Sequence, residues 1–400
     1  MANDMGEVSG EVDRVLQPAM HEIIDWLAGD ECYALDGAGL AAELGRRLNA
    51  SGLPLDHLGL YLRTLHPEIV GYTIGWAPNE APQVFNREYG IEHKPFFAGN
   101  PIHHVLQTRK PAVVRIDYKN HAWAHIDILE GRHLVELVVL PLHNTGASPS
   151  AVSFATAREA GFSPAERAAL ERIAPALRNI CELRTLRHAE HALLGAYVGT
   201  LTARHVLEGH VRRGEVETLE AALMVCDLRG FTEMSNRLPC DRVLQHLNAY
   251  FQCVVPPIGD AGGEVIKFMG DGVLAFFQDD NAATACAAAL RAGVTALERL
   301  EARVASDAPL RAGIALHYGE MSYGNIGYGH RLDFTLIGPD VNLVSRLQGI
   351  CSKTGRPLLM SERFARLLDP MPVVALGGYK LKGFTEPAEV YAVDGPGGSN

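Results

Sequence analysis

The stretch Glu264–Phe277, EVIKFMGDGVLAFF, restricts the fold more than any other part of this 400-residue chain. Two apolar runs flank Met269-Gly270-Asp271-Gly272, and an Asp-Gly pair between such runs turns the chain back on itself as a β-hairpin. Asp271 then stands at the hairpin tip, and Lys267 is a cation inside an otherwise apolar strand. Upstream, Ala221–Thr232 (AALMVCDLRGFT) reads as an apolar strand that stops at Asp227, passes a glycine-containing loop and enters a helix near Thr232. A carboxylate at a strand end, beside the free N–H groups of a helix start, can hold a cation and a phosphate together. Two such carboxylates, Asp227 and Asp271, can bridge two Mg²⁺ ions that activate an attacking oxygen and neutralise a phosphate. Each motif also has a plain structural reading, an Asp in a β–α turn and a favourable Asp-Gly turn. Lys267 and the second isolated carboxylate go beyond that reading.

A third run, Asp333–Leu347 (DFTLIGPDVNLVSRL), predicts a helix over Val341–Ile350 after a Gly-Pro-Asp turn. Asn342 and Arg346 are four apart and so share one helical face. Asn can orient a sugar oxygen, and Arg can stabilise charge developing at phosphorus; the alternative is a solvated polar face. Further strands are expected at Ala221–Asp227, Ala312–His317 and Met321–Ile326, with helices at Pro239–Cys253 and Ala282–Leu300. The pattern is α+β with a hairpin in its middle.

The preceding part of the chain has its own punctuation. Leu40–Leu48 has helical spacing, and Leu58–Leu65 and Val70–Trp76 read as strands joined by His66-Pro67-Glu68. Asn100 caps a helix over Asn100–Thr108, Val113–Ile116 and Leu134–Leu142 are strands, and Asn144–Ser150 is a loop. Ser163, Pro164 and Glu166 form a capping box that opens a long helix. Its apolar residues Leu170, Ile173, Leu177 and Ile180 continue less regularly through Leu183, Leu186, Leu193 and Leu194. This seam suits pairing with its copy in a dimer, or packing on its own domain.

Composition narrows the classes of function. Hydrophobic residues make up 47% and charged residues 21%, as in a soluble globular chain long enough for two domains. The net charge of −11 argues against a generic nucleic-acid or anionic-membrane binder, but not against a nucleotide held with metal ions. Seven scattered cysteines without a C-x-x-C pair fit a reducing cytosol. The polar Met1–Gly10 does not read as a signal peptide, and Leu134–Leu142, which contains Glu136, is too short to cross a bilayer. A cytoplasmic location without membrane contact is expected.

Together and in this order, these motifs resemble the catalytic domain of class III nucleotidyl cyclases. The D-x-x-G-F-T strand end, the K-x-M-G-D-G hairpin, the G-N-I-G of Gly324–Gly327 and the T-x-I-G-x-x-V-N-x-x-S-R run carry the resemblance over Leu201–Val393. It implies a ferredoxin-like βαββαβ palm that converts ATP to cyclic AMP and pyrophosphate. It implies two Mg²⁺ ions per site, replaceable by Mn²⁺, on Asp227, Asp271 and the Leu228 carbonyl. Lys267 and Thr335 match the adenine-reading pair, where guanylate cyclases of the family carry Glu and Cys. Asn342 would orient the ribose, Arg346 would stabilise the transition state, and Gly230, Phe231 and Thr232 would wrap the triphosphate. Thr335 resembles the bacterial subclass that includes bicarbonate-responsive enzymes. Many members place a lysine where this chain has Phe384, with Lys380 and Lys382 nearby. Family members pair head to tail, so a homodimer would complete two equivalent sites at the catalytic-domain interface. A guanylate cyclase and a catalytically silent cyclase-like module are the alternatives.

The N-terminal part resembles a GAF-type sensor, with a PAS-like fold as alternative, and implies an unidentified small-molecule effector. The organisation expected is a regulatory α/β domain over 1–160, a dimeric helical linker over 161–217, a catalytic domain over 218–394 and a tail over 395–400. Residues Tyr197–Glu217 look like a helical transducer. His121 and His125, four apart, could share a metal or haem, although His93, His103, His104, His121, His125, His133 and His143 read better as ordinary core or surface histidines. Phe96, Phe97 and Trp123 line an apolar pocket or form core.

Overall fold

The computed structural model describes residues 4–95, 97–116, 131–143, 149–303, 310–329, 331–368 and 373–393, with backbone alone over 4–15. The chain divides into two compact units, Met1–Leu193 and Leu194–Asn400. His121, His125, Trp123 and Phe96 lie outside the described residues.

The first unit begins with three helices, α1 (Asp4–Ala28), α2 (Asp30–Ala34) and α3 (Gly37–Ala50). Three strands follow, β1 (His57–Arg63), β2 (Ile69–Trp76) and β3 (Gln83–Glu88), then helix α4 (Pro101–Thr108). Strands β4 (Ala112–Arg115), β5 (Glu136–Leu142) and β6 (Ser150–Thr156) lead to the 35-residue helix α5 (Pro164–Val198). The sheet is antiparallel with order β3-β2-β1-β6-β5-β4. Strand alternation sends Leu58, Leu60 and Ile74 to one face, packed with Leu44 of α3 and Ile173 of α5. Tyr61, Leu137 and Val139 go to the other, against Ile102 and Val105 of α4.

The local signals act as expected. Asn100 Oδ1 accepts the His103 N–H at 2.7 Å, capping α4. Ser163 Oγ accepts the Glu166 N–H at 3.2 Å while Glu166 Oε2 accepts the Ser163 N–H at 2.6 Å, a reciprocal capping box. Glu136 is buried because Arg167 pairs with it at 2.9 Å and the Phe162 N–H donates to it at 3.1 Å. Two readings need correction. Ser150 belongs to β6 and not to the preceding loop, where its Oγ accepts the Arg63 N–H at 3.2 Å. Leu170, Ile173, Leu177 and Ile180 are buried in the core of their own unit, so that part of the seam packs within the chain. Leu183 and Leu186 beyond it are exposed.

The second unit opens with α6 (Thr200–Leu207), set off from α5 by Gly199 at φ 87°. Strand β7 (Val216–Leu228) leads to α7 (Phe231–Arg237) and α8 (Cys240–Asp260). The hairpin β8 (Glu264–Met269) and β9 (Gly272–Phe277) precedes α9 (Ala282–Ala302), β10 (Ala312–Tyr328) and β11 (Arg331–Ile337). Helix α10 (Pro339–Thr354), β12 (Leu358–Ser361), α11 (Glu362–Arg366), β13 (Val373–Tyr379) and β14 (Ala388–Val393) complete it. The sheet runs β13-β14-β12-β10-β7-β9-β8, with β11 paired to β10. Within it, β7-α8-β8-β9-α9-β10 has the order β10-β7-β9-β8, the split βαβ arrangement of the expected palm.

Here too the structure corrects details. The helical stretch expected through Glu217 ends at Leu207, because Val216 already pairs with Gly324. The Leu201 N–H donates to Glu264 at 2.8 Å and Thr202 Oγ meets Tyr323 OH at 2.7 Å, which holds α6 on the hairpin and β10. Two strands expected at Ala312–His317 and Met321–Ile326 are one strand, since β7 pairs with β10 straight through Gly319. Gly319 is there for space, not for a break: a Cβ would lie 2.1 Å from Asp340 Oδ2. All seven cysteines are free, and all but Cys240 are buried. No described helix is long and apolar enough to cross a membrane.

Candidate active site

Strand register brings the two acidic motifs together. Cys226 pairs with Val273, so Asp227 ends β7 beside the tip of the β8–β9 hairpin. Gly270, at φ 69°, makes the turn that presents Asp271 there. The carboxyls of Asp227 and Asp271 lie within hydrogen-bonding reach of each other. Burial, then the hydrogen bond to Asp271 and its charge, push the Asp227 carboxyl up to about 7, against the Leu228 N–H, which favours the anion. Two carboxylates forced together in a half-buried notch are the donor set a hard divalent cation fits. Among the described residues no group of three or more His, Cys, Asp or Glu is arranged to hold a metal ion by itself. A cation here would complete its shell from backbone oxygen and water, with the Leu228 carbonyl the candidate the sequence names. Next along the chain, Gly230 at φ 76° turns into α7, leaving Phe231 and Thr232 in its first turn. Phe231 packs partly on the core while Thr232 is exposed.

A second cluster lies on β8 and β11. Lys267 Nζ donates to Asp333 Oδ2 at 2.6 Å, a contact that joins residues 66 apart in sequence. Asp333 and Thr335 alternate along β11 and so share a face. Thr335 is buried opposite Gly324, in the motif G-N-I-G. Asn342 and Arg346 both project to solvent from α10, on one face as expected. Phe384 packs partly on the core, whereas Lys380 and Lys382 are exposed.

Three supporting groups were not singled out from sequence. Asp333 is one, as the counter-ion of Lys267. Asp340 is another: it accepts the Glu320 N–H at 2.8 Å and stands 3.2 Å from His317 Nε2. His317 is buried, shares a 2.7 Å hydrogen bond with Ser361 Oγ, and is held below the ordinary imidazole range by burial. This chain of contacts pins the start of α10 to β10 and β12. The third is Arg229, whose guanidinium reaches the carbonyls of Cys351 at 2.8 Å, Arg356 at 2.5 Å and Gly355 at 3.4 Å. It caps the C-terminal end of α10 from the loop that follows Asp227. Arg229→Ala is expected to cost about 2 kcal/mol, since it strands those carbonyls. Urea denaturation measures it, and an unchanged midpoint would show that the clamp contributes nothing.

Comparison with known proteins supports the reading of this unit. A family model described as the adenylate and guanylate cyclase catalytic domain matches residues 215–395. Over that stretch the chain is similar to cyclase catalytic domains. An adenylate cyclase of Anabaena cylindrica is 29% identical over 203 residues, covering 46% of this chain and 38% of that protein. Adenylate cyclase 1 of Rhizobium meliloti is 30% identical over 202 residues, covering 49% of this chain and 30% of its own. The match therefore spans well under half the length of these two relatives. Among solved structures, a bacterial light-regulated adenylyl cyclase aligns with a TM-score of 0.48 at 26% identity, over 55% of this chain and 65% of that one. The matched stretch begins at the strand that delivers Asp227 and includes every residue of the two clusters described above.

Proposed function

We propose that the chain is a homodimeric adenylate cyclase that converts ATP to 3′,5′-cyclic AMP and pyrophosphate, governed by its GAF-like N-terminal unit. The observation that carries this reading is the Asp227–Asp271 carboxylate pair, placed at a strand end within the cyclase domain. Two Mg²⁺ ions, replaceable by Mn²⁺, would supply activation of the ribose 3′-oxygen and charge neutralisation on the triphosphate. The N–H groups of Gly230, Phe231 and Thr232 cradle the triphosphate. Lys267, oriented by Asp333, donates to the adenine ring, and Thr335 on the same β11 face completes its recognition. Asn342 orients the ribose, and Arg346 stabilises charge building on the α-phosphorus. In a head-to-tail pair, the metal carboxylates of one chain face Lys267, Thr335, Asn342 and Arg346 of the other.

The test is side-by-side turnover of ATP and GTP by the purified chain with Mg²⁺ and with Mn²⁺, products separated by chromatography. Cyclic AMP is expected in at least about tenfold excess over cyclic GMP, the discrimination that one charged hydrogen bond to the base provides. Cyclic GMP in excess would overturn the base assignment. No cyclic product from the full chain or from the stretch beginning at Leu201 would favour a silent nucleotide-binding module.

A further inference from the structure

We propose that the N-terminal unit binds a medium-chain alkyl carboxylate in the cavity between β1, β2 and α5, and that this ligand is an effector of the chain. The cavity measures about 520 Å³, within the range of small-molecule sites. It lies on the sheet face covered by α3 and α5, whereas Phe97, which the sequence suggested for a pocket, packs with α4 on the opposite face. Over a packed floor that includes Leu60 and Ile74, its open apolar lining is Val84 of β3, Leu183 of α5 and Tyr33 of α2. These exposed apolar side chains favour an aliphatic tail over a polar or charged body.

The rim has the opposite character. Arg184, Arg187, His188 and His191 line it from α5. Arg184 Nη2 donates to the Cys32 carbonyl at 2.8 Å and Nη1 to that of Leu35, which fixes the guanidinium in place. Its Nε–H is buried and has no hydrogen-bond partner among the described residues. A cation fixed in this way at the rim favours an anionic head group. Arg187 lies over the Tyr33 ring at 4.8 Å, which holds a second cation at the same rim. Asp36 is the sole acid among the lining residues, and its Oδ1 already accepts the Gly39 N–H at 2.6 Å. His188, wedged between His66 and Tyr72, is held below the ordinary imidazole range by burial and by its neighbouring imidazoles. Two arginines against one carboxylate leave a single positive charge, which a monoanionic head group balances. The lining residues of α5 fall between Ile180 and His191, and the helix continues to Val198. A ligand seated there therefore bears on the stretch of α5 that leads out of the unit.

Binding is tested by isothermal titration of the full chain with decanoate, 1-decanol and acetate, without nucleotide. Decanoate is expected to bind once per chain, with decanol and acetate at least about tenfold weaker, since each lacks one half of the recognition. Arg184→Gln should weaken decanoate by a similar factor. Because that change also removes two carbonyl contacts, Ala38→Trp is the second variant: it fills the cavity from its edge, removes no hydrogen bond, and should abolish binding. Decanoate should also change the rate of cyclic nucleotide production by the original chain and not by Ala38→Trp. No binding, equal binding of decanoate and decanol, or binding unchanged in both variants would overturn the site. Binding with no effect on turnover would overturn the effector role. That role rests on the cyclase reading, but the titration does not: a chain that binds decanoate and makes no cyclic nucleotide would sink the enzyme proposal and leave the cavity assignment standing.

Discussion

Asp271→Asn is expected to give a protein that melts no lower than the original and has lost cyclic nucleotide synthesis by on the order of 10³-fold or more. Loss of activity without loss of stability follows from the way the pair is built. Asp227 keeps its proton to a higher pH in the folded chain than it would unfolded, because burial and Asp271 oppose its charge. A carboxyl raised in this way stabilises the fold at low pH, and that contribution disappears as pH rises through about 7. Removing the charge of Asp271 removes part of the opposition, so the variant should gain on the original as pH goes from 6 to 8. Mg²⁺ relieves the same repulsion by another route. It should raise the melting temperature of the original more at pH 8 than at pH 6, where it must displace a proton, and do little for the variant. Scanning calorimetry of both proteins at both pH values, with and without Mg²⁺, reads these differences. A variant that melts lower than the original at pH 8 in the absence of metal would contradict this account of the notch.

The second large effect is complementation. Asp271→Ala and Arg346→Ala should each be silent alone. Mixed in equal amounts under conditions where subunits exchange, they should recover about a quarter of the original rate. Half of the pairs are then mixed, and each mixed pair has one site with both defects and one with neither. Arg346 and Asn342 project to solvent from α10, the geometry required of groups that act on a neighbour's substrate. If mixing restores nothing while exchange is verified by mass, each chain carries its own complete site and the head-to-tail arrangement is wrong.

Much of this architecture was legible in the sequence because its signals are local. The Asp-Gly turn announces the β8–β9 hairpin, Asn100 announces α4, and the Ser163–Glu166 box announces α5. The split βαβ order came with the family resemblance; the alternation of strands and helices by itself gave only an α+β pattern with a central hairpin. What escaped depends on partners distant in sequence. Nothing near Gly319 reveals that Asp340 will press on it, so a glycine needed for space reads as a strand break. The α5 seam has the spacing of a dimer interface, and spacing alone does not say whether a partner helix or the chain's own sheet covers it. Lys267 stood out as a cation in an apolar strand, but its tie to Asp333 is made only once β11 lies against β8. The N-terminal cavity has no motif at all. It is a gap between elements, and its arginines look like ordinary helix surface until the fold closes around them.

The Arg229 clamp has a bearing on timing. Its backbone belongs to the loop that leaves Asp227, while its guanidinium grips the far end of the helix that displays Asn342 and Arg346. In a head-to-tail pair those two pieces of one chain serve different catalytic centres. Movement of the loop as one centre fills would reach the other along a rigid rod, with no signal crossing the interface. Such a pair would have its two centres linked mechanically inside each subunit, so that filling one bears on the other.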